Sequence, residues 1–479
     1  MNPPLRKLTA VVVVMFLTLM VAVTNIQFFQ AKSLNADSRN VRTLYHEYGK
    51  ERGPIIVAGK PIVTSQPSNG VYAFQRAYQS PELWAQVTGY FSTAFNAMTG
   101  LERYENAVLG GTDSSLSLQR VKQLFTGEEP RGGAVSLTLN PAAQAAAWNG
   151  LGANRGAVVA LEPATGRILA LVSKPSFDPN LIASADNNTA QQAWDKYSND
   201  PAKPMLNRAL GGETYPPGSV FKIITAAAML ESGMTPETGI EAPTAYTPPG
   251  TNHPIYNSGK VRCGNGSGNV PLRTAFAESC NTAFAIAGVN MGSPALVEMA
   301  EKFGFGQEVE TPLPVRPSQI TPTTVPAEVA FDAFGQRDVR ISPLQLAMMG
   351  AAVANRGVIM QPYLVEQTLT ADLAVIDTTH PTEFANPISA QSAQDLESMM
   401  IDVVSRGSGR SAAINGVTVA GKTGTAETGN DKLPHAWFVG YDVGSEPRVV
   451  VAVFVENGGY GGKTAAPIAR DVIRAVLGK

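Results

Sequence analysis

Ser219 and Lys222 stand three residues apart in "YPPGSVFKIITAAAML", residues 215–230. Two prolines and a glycine lead into the serine, and an apolar run follows the lysine. On a helix, residues i and i+3 share a face, with about 5–6 Å between their Cβ atoms. A serine hydroxyl is a weak nucleophile and needs a neighbouring base. Lysine can be that base if burial or a nearby cation lowers its pKa, because desolvation disfavours the charged form. The competing reading is a capping serine with an incidental lysine. Two features favour chemistry: this is the only Ser-x-x-Lys in the chain, and the residues after Lys222 offer the ammonium a dry wall.

Two later stretches carry matching chemistry. "ESCNTAF" holds Ser279, Cys280 and Asn281, and a Ser-x-Asn loop can present a hydroxyl and an amide to a peptide and to the lysine. The tripeptide pattern alone is weak, since Ser33-Leu34-Asn35 repeats it and Asn281 could simply satisfy turn backbone. "GKTGTAE", residues 421–427, closes a β-rich run. Gly424 lets another backbone approach closely, and an edge strand there could take up an extended substrate. The N–H of Thr425 would pair with that of Ser219 as an oxyanion hole. Lys422, Thr423 and Thr425 would meet a substrate carboxylate. A nucleotide P-loop is excluded, because the four residues after Gly416 are the strand's own Val-Thr-Val-Ala rather than a loop. The histidines (His46, His253, His380, His435) are too scattered for a metal site or a Ser-His-Asp triad, so neither metal nor cofactor is expected.

These groups need elements to position them. A chain of 479 residues points to two or three domains. With 44% apolar and 16% charged residues it reads as globular. A net charge of −2 without a basic block argues against nucleic acid as a partner. After Arg6 and Lys7, the run Leu8–Phe29 is uncharged and meets the roughly 20 residues a spanning helix needs. Positive charge on its N-terminal side predicts a cytoplasmic tail (1–7), an anchor (8–29) and an exported remainder. A cleaved signal peptide is the alternative, but no small-residue cleavage site closes the run. Cys263 and Cys280 fall in the exported part, where a disulfide is permitted and two free thiols are the alternative.

Residues 30–150 read as a small α+β module outside the membrane, opening with a polar linker or juxtamembrane helix. In it, "PIIVAGKPIVTS" suggests a hairpin, while "PELWAQVTGYFSTAFNAM" and "SLQRVKQLF" carry helical periodicity. Residues 151–479 form the larger unit. "GAVVALEPATGRILALVSKPSF" is two β runs joined by a turn, and "SPLQLAMMGAAVANRG" is a helix ending at Gly357. Three strand-like runs, "GVTVAGKTGTAET", "HAWFVGYDV" and "RVVVAVFVEN", precede a closing helix, "APIARDVIRAVLG". The class is α+β, a central antiparallel or mixed sheet with helices on its faces.

Ser-x-x-Lys, Ser-x-Asn and Lys-Thr-Gly in this order are shared by penicillin-binding proteins and class A β-lactamases. The chain closely resembles class B penicillin-binding proteins, the D,D-transpeptidases that cross-link peptidoglycan. The likeness includes Arg52-Gly53, "NRAL" (Asn207–Leu210), "GQRDVRISPLQLA" from Gly335, and the tail "VENGGYGGKTAAPIARDV". Where many division-type members continue Arg-Gly with an Asp-Arg-Asn-Gly turn, this chain has "RGPIIVAGKPIV", which is similar to the actinobacterial penicillin-binding protein A type. The resemblance implies a β-lactamase-like transpeptidase domain with a helix-flanked sheet, a pedestal or dimerisation-type module, and a single-pass protein of the plasma membrane. It implies that Ser219 is acylated by a stem peptide ending in D-Ala-D-Ala, with Lys222 as base. Ser279 and Lys422 would relay protons, Asn281 would hold the peptide, and Thr423, Gly424 and Thr425 would line the substrate strand. β-Lactams would be covalent inhibitors, and a cell-wall synthesis or division complex would be the partner. A bifunctional class A enzyme does not fit, because only about 120 residues separate anchor from catalytic unit. A class A β-lactamase is usually smaller and secreted and needs a deacylating glutamate between the second and third motifs, for which this chain offers no convincing candidate. A D,D-carboxypeptidase and a catalytically silent scaffold remain the alternatives.

Overall fold

The computed structural model describes residues 3–26, 49–68, 72–116, 131–429 and 432–479. The expected linker, the "SLQRVKQLF" helix, the end of the anchor, Ser33–Asn35 and His46 lie outside the described residues.

The β-rich runs at the two ends of the larger unit join one five-stranded antiparallel sheet. Its order is Val419–Ala426, His435–Asp442, Val450–Val455, Gly156–Leu161, Ile168–Lys174. Side chains alternate across a strand, so each run feeds two cores. Val158, Ala160, Phe438, Val451 and Val453 pack beneath the helices Pro141–Leu151 and Gly461–Leu477. Val159, Trp437, Val439, Ala452 and Phe454 face the helices Lys222–Glu231 and Pro343–Ala354. Full burial of each such aliphatic or aromatic side chain contributes about 1.5–3 kcal/mol. The Lys-Thr-Gly strand, Val419–Ala426, is an edge of this sheet, with one side free of strand pairing.

A second sheet has the order Val375–Thr378, Val365–Leu369, Ala134–Leu137, Ile55–Val57, Lys60–Pro67, Phe74–Tyr78. The hairpin expected at "PIIVAGKPIV" is there, turning through Ala58 and Gly59 at positive φ. Segment 134–151 divides its contacts: its strand joins this sheet, and its helix lies on the five-stranded one.

Two expected helices are shorter than their periodicity suggests. "PELWAQVTGYFSTAFNAM" is helical only over Pro81–Thr88. Gly89, at φ 66, breaks it, and a Cβ there would come within 2.1 Å of the Thr99 carbonyl oxygen. Phe91–Ser92 then pairs with Ala97–Met98. The helix from Pro343 ends at Ala354 rather than Gly357, because Arg356 turns left-handed and the Gly357 N–H returns to the Ala352 carbonyl at 2.7 Å. At the N-terminus, Pro3–Thr24 is one helix, and Lys7–Thr24 is long and apolar enough to cross a membrane, with none of that window buried in the protein.

Candidate active site

Ser219 lies in a 3-10 turn, Gly218–Phe221, and the α-helix proper begins at Lys222. The turn is wedged between two backbones. The Gly218 N–H donates to the Gly335 carbonyl at 2.8 Å. On the other side, a Cβ at Gly218 would come within 2.4 Å of the Thr425 carbonyl oxygen, and one at Gly424 within 2.8 Å of the Pro217 oxygen. Glycine at both positions therefore brings the serine turn against the edge strand. The Trp437 indole N–H donates to the Pro216 carbonyl at 2.9 Å, holding the approach from below.

Lys222 and Lys422 are both fully buried. Lys222 Nζ donates to the Ser279 carbonyl at 2.7 Å and to Asn281 Oδ1 at 2.8 Å, and lies 3.4 Å from Ser279 Oγ. Lys422 Nζ donates to Ser279 Oγ at 2.8 Å and to the Thr423 carbonyl at 3.2 Å. The rings of Phe284 and Phe276 stand 5.3 and 5.4 Å from the respective amines. Neither lysine has an acidic partner among the described residues. Burial, and then the neighbouring charge of Lys422, hold the Lys222 amine well below its ordinary value. Burial brings Lys422 down to about 7. An amine kept neutral in this way has a lone pair to accept a proton at neutral pH.

The Ser-x-Asn loop is set by its backbone. Ser279 caps the helix Leu272–Glu278 in a left-handed conformation, φ 61 and ψ 44, which costs a non-glycine residue about 1–3 kcal/mol. That turn aims the hydroxyl back between the two lysines. Asn281 opens the helix Asn281–Met291 and donates through Nδ2 to the Tyr256 carbonyl at 3.0 Å, leaving Oδ1 toward Lys222. Cys280, between them, is bonded to Cys263.

On the far side of the edge strand, Thr423 Oγ1 shares a 2.6 Å hydrogen bond with Ser408 Oγ. Thr425 Oγ1 lies 3.5 Å from the Gly461 N–H at the start of the C-terminal helix. Sequence reasoning passed over Ser408. Its N–H donates to the Ala277 carbonyl at 3.2 Å, two residues before Ser279, so it ties the second motif to the third. The flanking glycines, Gly407 and Gly409, were the available signal: a Cβ at Gly407 would meet the Ala277 oxygen at 2.3 Å. The three motifs thus converge on one groove. Among the described residues the histidines do not join it as a triad: His253 and His380 are exposed, and His435 packs on Tyr215 and Phe454.

Residues 156–474 match the penicillin binding protein transpeptidase domain, and residues 52–135 match the penicillin binding protein A dimerisation domain. The chain is 42% identical to the peptidoglycan D,D-transpeptidase PbpA of Mycolicibacterium smegmatis, covering 100% of this chain and 99% of that protein. It is likewise 42% identical to PbpA of Mycobacterium tuberculosis, over 100% of this chain and 99% of that one. The solved ceftriaxone acyl-enzyme of penicillin-binding protein A from M. tuberculosis superimposes with a TM-score of 0.86 at 42% identity, covering 90% of this chain and 99% of that one. With the convergent motifs, these matches establish that the chain belongs to the penicillin-binding protein transpeptidase family, in its penicillin-binding protein A branch.

Proposed function

We propose that the protein is a peptidoglycan D,D-transpeptidase that works through an acyl-serine at position 219. One observation carries this reading: two buried lysines without acidic partners among the described residues meet at the Ser279 hydroxyl, beside the turn that bears Ser219. Ser219 Oγ attacks the carbonyl of the penultimate D-Ala while its proton passes to Lys222. The N–H groups of Ser219 and Thr425 stabilise the oxyanion, a contribution of a few kcal/mol in related acyl transfers. As the C–N bond breaks, Ser279 hands a proton to the departing D-Ala amine and is reprotonated from the lysine pair. An acceptor amine then attacks the ester, loses its proton to the same base, and restores Ser219. Lys422, Thr423 and Thr425 hold the terminal carboxylate, and the free edge at Gly424 pairs with the peptide main chain. A β-lactam enters as a mimic of the D-Ala-D-Ala end and stops at the acyl-enzyme, in keeping with the acyl-enzyme complexes of the M. tuberculosis relative.

The apolar helix at the N-terminus supports anchoring in the plasma membrane with the catalytic unit outside. On this reading residues 1–7 are cytoplasmic, 8–29 anchor, 30–150 a pedestal, and 151–479 catalytic, and the protein serves a wall-building complex, in septation. Incubation with a fluorescent penicillin tests the nucleophile: covalent label on the wild type and none on Ser219→Ala is expected, and equal labelling of both would overturn the reading. A D-Ala-D-Ala muropeptide, supplied with an acceptor, separates the activities. Cross-linked dimer is expected, hydrolysed monomer alone would mark a carboxypeptidase, and unchanged substrate a silent scaffold.

A further inference from the structure

Among the stretches that carry the family likeness, "NRAL" and the "VEN" that opens the tail have no task in this chemistry. They meet at a single carboxylate. Glu456 Oε1 accepts from Arg208 Nε at 2.7 Å and from the Tyr215 hydroxyl at 2.9 Å, while Oε2 pairs with Arg155 at 2.9 Å. The Arg208 side chain is fully buried and that of Glu456 is 7% exposed. Arg208 is itself fixed: its other nitrogens donate to the carbonyls of Ala202 and Lys203, and its backbone N–H donates to Ser173 Oγ on the five-stranded sheet. Burial acts to raise the Glu456 pKa, but the hydrogen bond and charge of Arg208 prevail and keep it ionised.

Tyr215 is four residues before Ser219. Its ring lies 4.2 Å from that of Phe454 and meets His435 edge-on, and its backbone pairs with Ile341 in both directions. The two residues that follow are prolines, whose rings hold φ near −65°. A displacement of Tyr215 is therefore passed on to Gly218 and Ser219 rather than absorbed. The remaining handholds on this segment, Trp437 on Pro216 and Gly335 on Gly218, fix backbone only. Beyond its ring contacts, Tyr215 adds side-chain hydrogen bonds through its hydroxyl, to Glu456 Oε1 at 2.9 Å and a longer one to Glu213 Oε2 at 3.4 Å.

We infer that Glu456 is a positioning residue for Ser219, acting through the Tyr215 hydroxyl. The inference rests on Ser219 being the nucleophile proposed above. The experiment uses the full chain in detergent and follows acylation by a chromogenic penicillin, separating the affinity of the non-covalent complex from the limiting acylation rate. Mass spectrometry first places the label on wild-type Ser219; its absence there would overturn the nucleophile reading and the positioning role together. Glu456→Gln keeps the shape but removes the charge that organises Arg208, and Tyr215→Phe keeps the ring but removes the hydroxyl. Each is expected to lower the limiting rate about tenfold, as small misplacements of reacting groups do, with affinity unchanged. The double variant should be no slower than the worse single one, because both act along one path. A merely structural role would instead reduce the titratable active fraction and leave the rate of that fraction intact. That outcome, or additive losses in the double variant, would overturn the inference while leaving Ser219 as the nucleophile. If Glu456→Gln fails to fold, the rate of Tyr215→Phe decides alone.

Discussion

Lys422 Nζ stands 2.8 Å from Ser279 Oγ, so one hydroxyl joins the third motif to the second. The amine has no anion beside it among the described residues, and burial lowers its pKa to about 7 against an ordinary 10.5. Between those values the unfolded chain binds more protons than the folded one. Stability therefore rises with pH across that window and is flat below it. A Lys422→Met variant lacks this slope. Wild type should gain on it by about 3 kcal/mol between pH 7 and 10, at roughly 1.4 kcal/mol per pKa unit. Denaturant melts of both proteins at several pH values check this, and parallel curves would refute it. In the wild type, penicillin acylation should fall on acidification, because Lys222, held well below its ordinary value by burial and by the charge of Lys422, must be neutral to accept the serine proton.

Gly335 lies in "GQRDVRISPLQLA", far from the serine in sequence, yet at φ +78 its α-carbon faces the Gly218 carbonyl. A Cβ at 335 would come within 2.2 Å of that oxygen and 2.7 Å of Phe221 Cβ. Gly335→Ala must therefore move the serine turn. It should lose at least about tenfold in acylation rate and destabilise the fold by about 2 kcal/mol or more. Labelling rate and thermal melting read the two effects separately.

The contrast between these two positions shows where sequence is legible. Lys422 belongs to a tripeptide whose chemistry follows from residue type and order, so its place beside Ser279 is readable from the motifs alone. The strands on either side of it alternate cleanly, and the hairpin at "PIIVAGKPIV" has its turn in the open. Gly335 carries no such signal, because a glycine's close contact depends on a backbone that arrives from 117 residues away. The same holds for Ser408, whose partner Thr423 is supplied by the sheet, and for the Val365–Leu369 strand, which pairs with Ala134–Leu137 from a distant part of the chain. Helix ends failed for a local reason: periodicity continues through Gly89 and Arg356, whereas the backbone there turns to positive φ.

Ser408 is exposed and its Oγ lies 2.6 Å from Thr423 Oγ1, so on the proposed mechanism it orients the hydroxyl that would meet the substrate's carboxylate. Ser408→Ala should cost about 0.5–1.5 kcal/mol of transition-state binding, a few-fold to roughly tenfold in kcat/KM. The loss should appear with a D-Ala-D-Ala thioester analogue bearing a free carboxylate and vanish with its methyl ester. Equal losses on both substrates would assign Ser408 to the fold alone.

The bond between Cys263 and Cys280 closes a loop of 17 residues immediately before Asn281, and Cys280 is the residue between the two polar groups that face Lys222. Closing a loop of this length stabilises a fold by about 3 kcal/mol where the native geometry is unstrained. The bond is made at Cys280, next to Ser279 in its left-handed turn, and its loss should free that turn to relax. Cys263→Ser with Cys280→Ser should therefore lower the melting temperature and, in the fraction that remains folded, slow acylation by penicillin. Cys263→Ser alone frees the Cys280 thiol while leaving the catalytic loop's own sequence intact, and should show the same slowing. Non-reducing peptide mapping of the wild type should recover the two cysteines in one linked peptide pair. Two alkylatable thiols would remove the bond, and unchanged acylation in both variants would confine it to stability.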